Sequence, residues 1–218
     1  SVTSAANAFV LGQDLNSLDI QLTSHNQEAN RYNQTPMLSM GCLYQQAVRN
    51  LSSPGETPWL LEGDIYRESE LIDFHNEARD YSSLANLYIL KLFLAVLFRQ
   101  PDKGVRYARF ARDYLDAVRA SPALPFFIIY ESLALQQAMP TLPATEKLKA
   151  RIRLRLNIRL LRKWGHHCPE NVMAGLHLIQ AEQHAARKSH TLAIAEYEAA
   201  MSAALQAGLT KEQALATE

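Results

Sequence analysis

Apolar residues recur along most of this chain at steps of three and four, the period of helices with one face turned inward. Residues 4–11 predict the end of a helix closed near Gly12. A second helix is predicted from Asp14 or Asn16, either a suitable N-cap, to about Asn33, with Leu15, Leu18, Leu22 and Ala29 inward. Pro36 suits the first turn of a third, which carries Leu38, Gly41, Cys42, Gln45 and Val48 at helical spacing and ends near Asn50. Leu51 to Asp64 holds two prolines and two glycines and predicts a loop. Helix resumes over 68–78, with Leu71, Ile72 and His75 on one side, and again from Ser82 or Ser83 to Phe98. That last segment is apolar round most of its circumference, as a helix covered from both sides is. Further helices are predicted over 102–120, 126–138, 144–164, 171–186 and 191–207, and Thr210 starts another. Both ends of the chain read as cuts within a longer helical array.

A finer register runs through two of these segments. Ala193, Tyr197 and Ala200 are spaced by four and then three residues on one helical stripe, and Ala181 stands twelve residues before Ala193. Gly104, Ala108 and Ala111 repeat the four-then-three spacing, with Leu92 twelve residues before Gly104. Small residues let two helices approach closely, and the tyrosine ring fills the space beside them. Gly208 supplies a left-handed stop after the second helix. The stretch from Asn171 to Gly208 resembles a tetratricopeptide (TPR) helical hairpin. The resemblance implies an all-α, TPR-like α-solenoid of about five to six stacked helix pairs at roughly 34 residues per repeat. It is expected to form a single domain over 1–218, irregular over 1–64 and more regular over 65–120 and 121–218. Lys188 stands in the turn where glycine or asparagine is commoner, and no proline follows Ala200.

Composition changes this picture little. Good helix formers dominate, and β-branched residues nowhere alternate with polar ones over a strand's length. No apolar run is long enough to span a membrane, and the first residues lack the charged start and apolar core of a signal peptide. Two cysteines far apart, Cys42 and Cys168, make no disulfide framework and fit a reducing cytoplasm.

Charge changes it more. The formal net charge is zero, which removes any global attraction to nucleic acid or anionic membrane. That zero conceals an acidic stretch over 56–80, with Glu62, Asp64, Glu68, Glu70, Asp73, Glu77 and Asp80, and a basic one over 147–163. Arg151, Arg155, Arg159 and Arg162 form one helical stripe. Leu148, Ile152, Leu156, Leu160 and Trp164 are expected to form the opposing buried side, flanked by Leu154, Ile158 and Leu161. The stripe is a solvated face, a phosphate contact, or a dock for acidic protein surface; the last is the functional expectation.

In order, the segments resemble the helical-repeat region of large bacterial signalling proteins. Those proteins carry a Ser/Thr-kinase-like domain, a predicted P-loop ATPase, the helical array and, in many members, a GAF sensor and a histidine kinase. The resemblance is carried by Asn86-Leu87-Tyr88 through Lys91-Leu92 and Leu97-Phe98, by Tyr107-Ala108-Arg109 and by Tyr114 to Arg119. Tyr130 to Leu135, Leu160 to Trp164 and Ala193 to Tyr197 continue it. It implies a non-catalytic scaffold for protein–protein or interdomain contact and signal relay, with any ATPase or kinase activity outside these residues. The alternatives are an effector-binding array of an ATP-dependent transcription regulator and, least favoured, a nucleic-acid-binding repeat.

Motifs of chemistry are sparse. There is no Walker-type loop, GxGxxG turn, GxSxG elbow or HExxH helix, so no catalytic residue or cofactor is expected. His166, His167 and Cys168 are metal-capable, with His177, His184 or Cys42 as conceivable partners, but lack ligand spacing; they are read as a polar loop capping a helix, with no metal. His184 is a candidate groove contact. Glu131 and Glu182, on apolar helices, are read as hydrogen-bonding groups on a helix face or between helices.

Overall fold

The computed structural model describes residues 2–217; their regular elements are all helices, with no strand among them. They divide into two compact units, Ser1–Leu124 and Pro125–Glu218.

The first unit contains α1 (Val2–Val10), α2 (Leu15–Arg31), α3 (Thr35–Ser52), α4 (Glu68–Glu77), α5 (Tyr81–Leu97) and α6 (Pro101–Arg112). Asp14 caps α2 by accepting the Ser17 N–H at 2.8 Å, and Asp80 caps α5 by accepting that of Ser83 at 3.1 Å. Helix α5 is buried on nearly every side, packed by α3, α4 and α6. Phe9 of α1 meets Tyr44 and Phe93 edge-on at 5.5 and 5.7 Å. The loop after α3 is pinned by Asn50, whose Nδ2 donates to the carbonyls of Pro58 and Leu60. The helix expected over 102–120 is shorter: α6 stops at Arg112, and a one-turn 3-10 helix, Leu115–Val118, follows and packs on α5. Such a turn buries Val118 while Asp116 and Arg119 stay in water, paired with each other.

The second unit holds all but the first two residues of α7 (Ala123–Ala138), with α8 (Ala144–Gly165), α9 (Pro169–Ala186), α10 (His190–Ala207) and α11 (Thr210–Thr217). Helix α7 begins earlier than expected. Pro125 lies in its first turn, where the missing N–H has no helical partner to lose. Helices α9 and α10 pack along each other, with Ala181, Ala193 and Ala200 buried between them. Leu92, Gly104, Ala108 and Ala111 are likewise buried where α5 meets α6.

One turn recurs. Asn33, Arg79, Arg99 and Lys188 all adopt a left-handed backbone, with φ of 54°, 53°, 50° and 60°. Each directly follows a helix C-cap. The next residue, Gln34, Asp80, Gln100 or Ser189, donates its N–H five residues back, at 2.8, 2.9, 2.8 and 2.9 Å, and is the N-cap of the next helix. Gly208, with φ 69°, makes the same turn before α11, where the Leu209 N–H reaches Ala204 O at 2.8 Å. This is a Schellman closure fused to a helix start, and it joins successive helices through three residues, or two before α11.

Candidate functional site

Helix α8 turns Ala150, Leu154, Asn157, Ile158 and Leu161 inward. Its register is fixed by Asn157, whose Nδ2 donates to Glu131 Oε2 at 2.8 Å and to Ser132 Oγ at 3.1 Å on α7. This corrects the expected orientation. Leu148, Ile152 and Leu156, assigned to the buried side, are 59, 49 and 49 % exposed. The residues assigned to a flank, Leu154, Ile158 and Leu161, form the core instead. A buried asparagine satisfied by two partners outweighs aliphatic burial, because an unpaired amide in an apolar interior is costly.

The register leaves Arg151, Arg155, Arg159 and Arg162 exposed along one edge of α8, and all four line an open groove of about 830 Å³. Met139, Leu154 and Ile158 contribute apolar lining, while Gln136, Gln183 and Arg187 add polar wall. Arg187, at the end of α9, was not singled out in the sequence, because it reads there as one more turn residue. Gln136 is fixed by donating to the Ile179 carbonyl at 2.9 Å. Glu182 is the only carboxylate among the described lining residues, and it already accepts the Tyr197 hydroxyl at 2.7 Å. Five guanidinium groups therefore face one carboxylate.

The groove is wired to the next helix pair. Arg162 Nη2 donates to Gln180 Oε1 at 3.0 Å, Gln180 Nε2 donates to Glu196 Oε2 at 3.0 Å, and His177 Nδ1 lies 2.7 Å from the same oxygen. Partial burial pulls the Glu196 carboxyl upward. The hydrogen bonds from His177 and Gln180 outweigh it, so the group titrates below its ordinary value. His184 is half-buried on α9 and is not in the groove lining; it lies near Glu196 and helps lower that pKa.

The other singled-out residues fall elsewhere. Cys168 is the N-cap of α9, and His166 is the C-cap of α8. Among the described residues no group of three His, Cys, Asp or Glu side chains is placed to hold a metal ion. Glu68, one of the acids of the 56–80 stretch, is buried: it pairs with Lys91 and accepts the Leu61 N–H at 2.8 Å. Lys91 Nζ also lies 4.5 Å from the centre of the Tyr107 ring. Burial, with the Glu68 charge nearby, pushes the Tyr107 hydroxyl up to about 12. Beside them the His75 ring is fully buried, with Nε2 at 3.2 Å from the Tyr66 hydroxyl and Nδ1 at 3.3 Å from Asp80 Oδ2. In the second unit burial lowers the Lys211 ammonium to about 8 and raises the Glu212 carboxyl. Tyr130 donates to Glu212 Oε1 at 3.3 Å. Such groups lock helices together.

No protein-family model, curated protein or solved structure matches the chain. No helix among the described residues is long and apolar enough to cross a membrane.

Proposed function

We propose that this chain is a non-catalytic, TPR-like helical-repeat module that docks an acidic protein segment or neighbouring domain, within a bacterial signalling protein of the ATPase–kinase type. The observation that carries the reading is the α8 groove, where Arg151, Arg155, Arg159, Arg162 and Arg187 surround one pre-engaged carboxylate. Arginine holds its charge at any physiological pH and offers forked donors to carboxylates, so the groove selects acidic side chains and speeds their encounter. Arg162 gives docking a route outward. An incoming carboxylate competes with Gln180 for its guanidinium, and Gln180 is bonded to Glu196 of α10. Relay to kinase output is the role this coupling would serve in the whole protein.

The test is fluorescence anisotropy with a labelled glutamate-rich peptide and a labelled DNA duplex at low salt. The peptide is expected to bind, with affinity lost in Arg155→Glu/Arg159→Glu. Tighter binding of the duplex, or peptide binding indifferent to these substitutions, would overturn the proposal.

A further inference from the structure

The arginine row has a neighbour that acid recognition does not use. Ile152 directly follows Arg151, and Leu156 directly follows Arg155, so an exposed aliphatic row that starts at Leu148 runs beside the arginines at the same four-residue interval. Four residues of helix rise about 6 Å, so both rows repeat at that distance along α8 up to Arg159, with Arg162 one three-residue step further. The aliphatic row is about half exposed, and Lys149 and Arg153 border it on the far side. The α8 surface is thus a strip of uncovered aliphatic side chains between two lines of cations.

We infer that the partner segment is an amphipathic α-helix that lies along α8, setting acidic residues at i, i+4, i+8 and i+11 against Arg151, Arg155, Arg159 and Arg162 and an adjacent aliphatic stripe against Leu148, Ile152 and Leu156. This rests on the groove being a protein-docking site. The arginine interval alone does not select a helix, because alternate residues of an extended chain also stand roughly 6.6 Å apart. The second row does. An extended chain turns alternate side chains to opposite faces, so it meets one row and leaves the other in water. A helix carries two adjacent i, i+4 rows on one face and covers both. The cations on both borders exclude a basic amphipathic helix and set the sign of the partner.

The experiment uses three labelled peptides of equal net charge: one with glutamate and leucine in adjacent helical rows, one scrambled from the same residues, and one acidic peptide without leucine. Each is titrated into the native protein, into Arg155→Glu/Arg159→Glu and into Ile152→Ser/Leu156→Ser. Circular dichroism of each variant checks its fold; the second pair is solvent-facing and should leave helix content unchanged. The row-patterned peptide is expected to bind about tenfold or more tighter than the scrambled one, to gain helix on binding, and to lose at least about tenfold in either variant. Equal binding of patterned and scrambled peptides, or indifference to Ile152→Ser/Leu156→Ser, overturns the helix; arginine-dependent binding would then leave acidic docking standing. Failure of all three peptides overturns both readings. Sedimentation of the protein alone completes the test: self-association abolished by Arg155→Glu/Arg159→Glu would assign the surface to a second copy and overturn a separate partner helix.

Discussion

Lys91 sits in the most apolar helix of the chain and is 4 % exposed, which is tolerable because Glu68 and the Tyr107 ring surround its ammonium. Removing one partner strands the other as a buried charge. Lys91→Met is therefore expected to cost about 3–5 kcal/mol in urea unfolding, and Glu68→Gln/Lys91→Met to recover part of that loss. A double variant as unstable as the single one would show that the pair has no such coupling. His75 gives a pH dependence. Burial is the dominant effect and lowers its pKa below 6.5, against the opposing pull of Asp80. Above about pH 7 both folded and unfolded chains hold the ring neutral, and its full contribution is present. As pH falls through about 6.5 the unfolded chain takes up a proton that the folded protein refuses, so stability declines until the folded pKa is reached. Urea midpoints measured from pH 8 to pH 5, limits set around that roughly 6.5 value, should show the decline, and His75→Gln should flatten it. The left-handed turns are a third residue-scale feature. Arg99 and Lys188 hold a conformation that costs a side-chain-bearing residue about 1 kcal/mol, so Arg99→Gly and Lys188→Gly are each expected to raise stability by up to that amount.

At the scale of elements, helix identity was legible because caps and breakers bracket the apolar periods: Asp14, Pro36 and Gly208 act where the pattern places them. The end of α6 was not legible. Nothing in Arg112-Asp113-Tyr114 breaks a helix; the helix stops where Tyr114 stacks on Tyr81 and Tyr88 and Val118 is buried, which is tertiary packing. The recurring turn was hidden for another reason. Its left-handed position is filled by asparagine, two arginines and a lysine, so the glycine signal is missing from four of its five instances. At the candidate site the arginine stripe was visible from spacing, but its neighbours were not. One polar residue, Asn157, rotates α8 so that an aliphatic row which reads as core lies outside. Close helix approach supplies a test at this scale. A Cβ on Gly175 would fall 2.5 Å from Ile129 Cδ1, and Ile129 is itself buried. Gly175→Ala should therefore destabilise the second unit by about 1–3 kcal/mol, although alanine is the better helix former, and Ile129→Ala should relieve part of that cost. Trp164 fluorescence in a Trp59→Phe background reads the second unit, because each unit holds one tryptophan.

For the whole molecule, neutrality is an average over unlike parts. Residues 125–218 hold eleven Lys and Arg against eight Asp and Glu, and residues 1–124 hold eleven against fourteen. An acidic peptide bound at α8 should therefore weaken steadily with added salt even though the protein carries no net charge, as charge steering across a screening length of about 10 Å requires. A salt-independent affinity in isothermal titration would contradict that. The two- and three-residue links between helices bear on how fast the chain assembles. They close very short loops, so most of the entropy lost in forming a helix pair is local, and each pair can meet soon after its own residues leave the ribosome. Stopped-flow refolding should accordingly show a major phase in the millisecond range or faster, before any slower proline isomerisation. A link this short also turns back through its one left-handed residue, so copies that traded helices would first have to open that residue into another conformation.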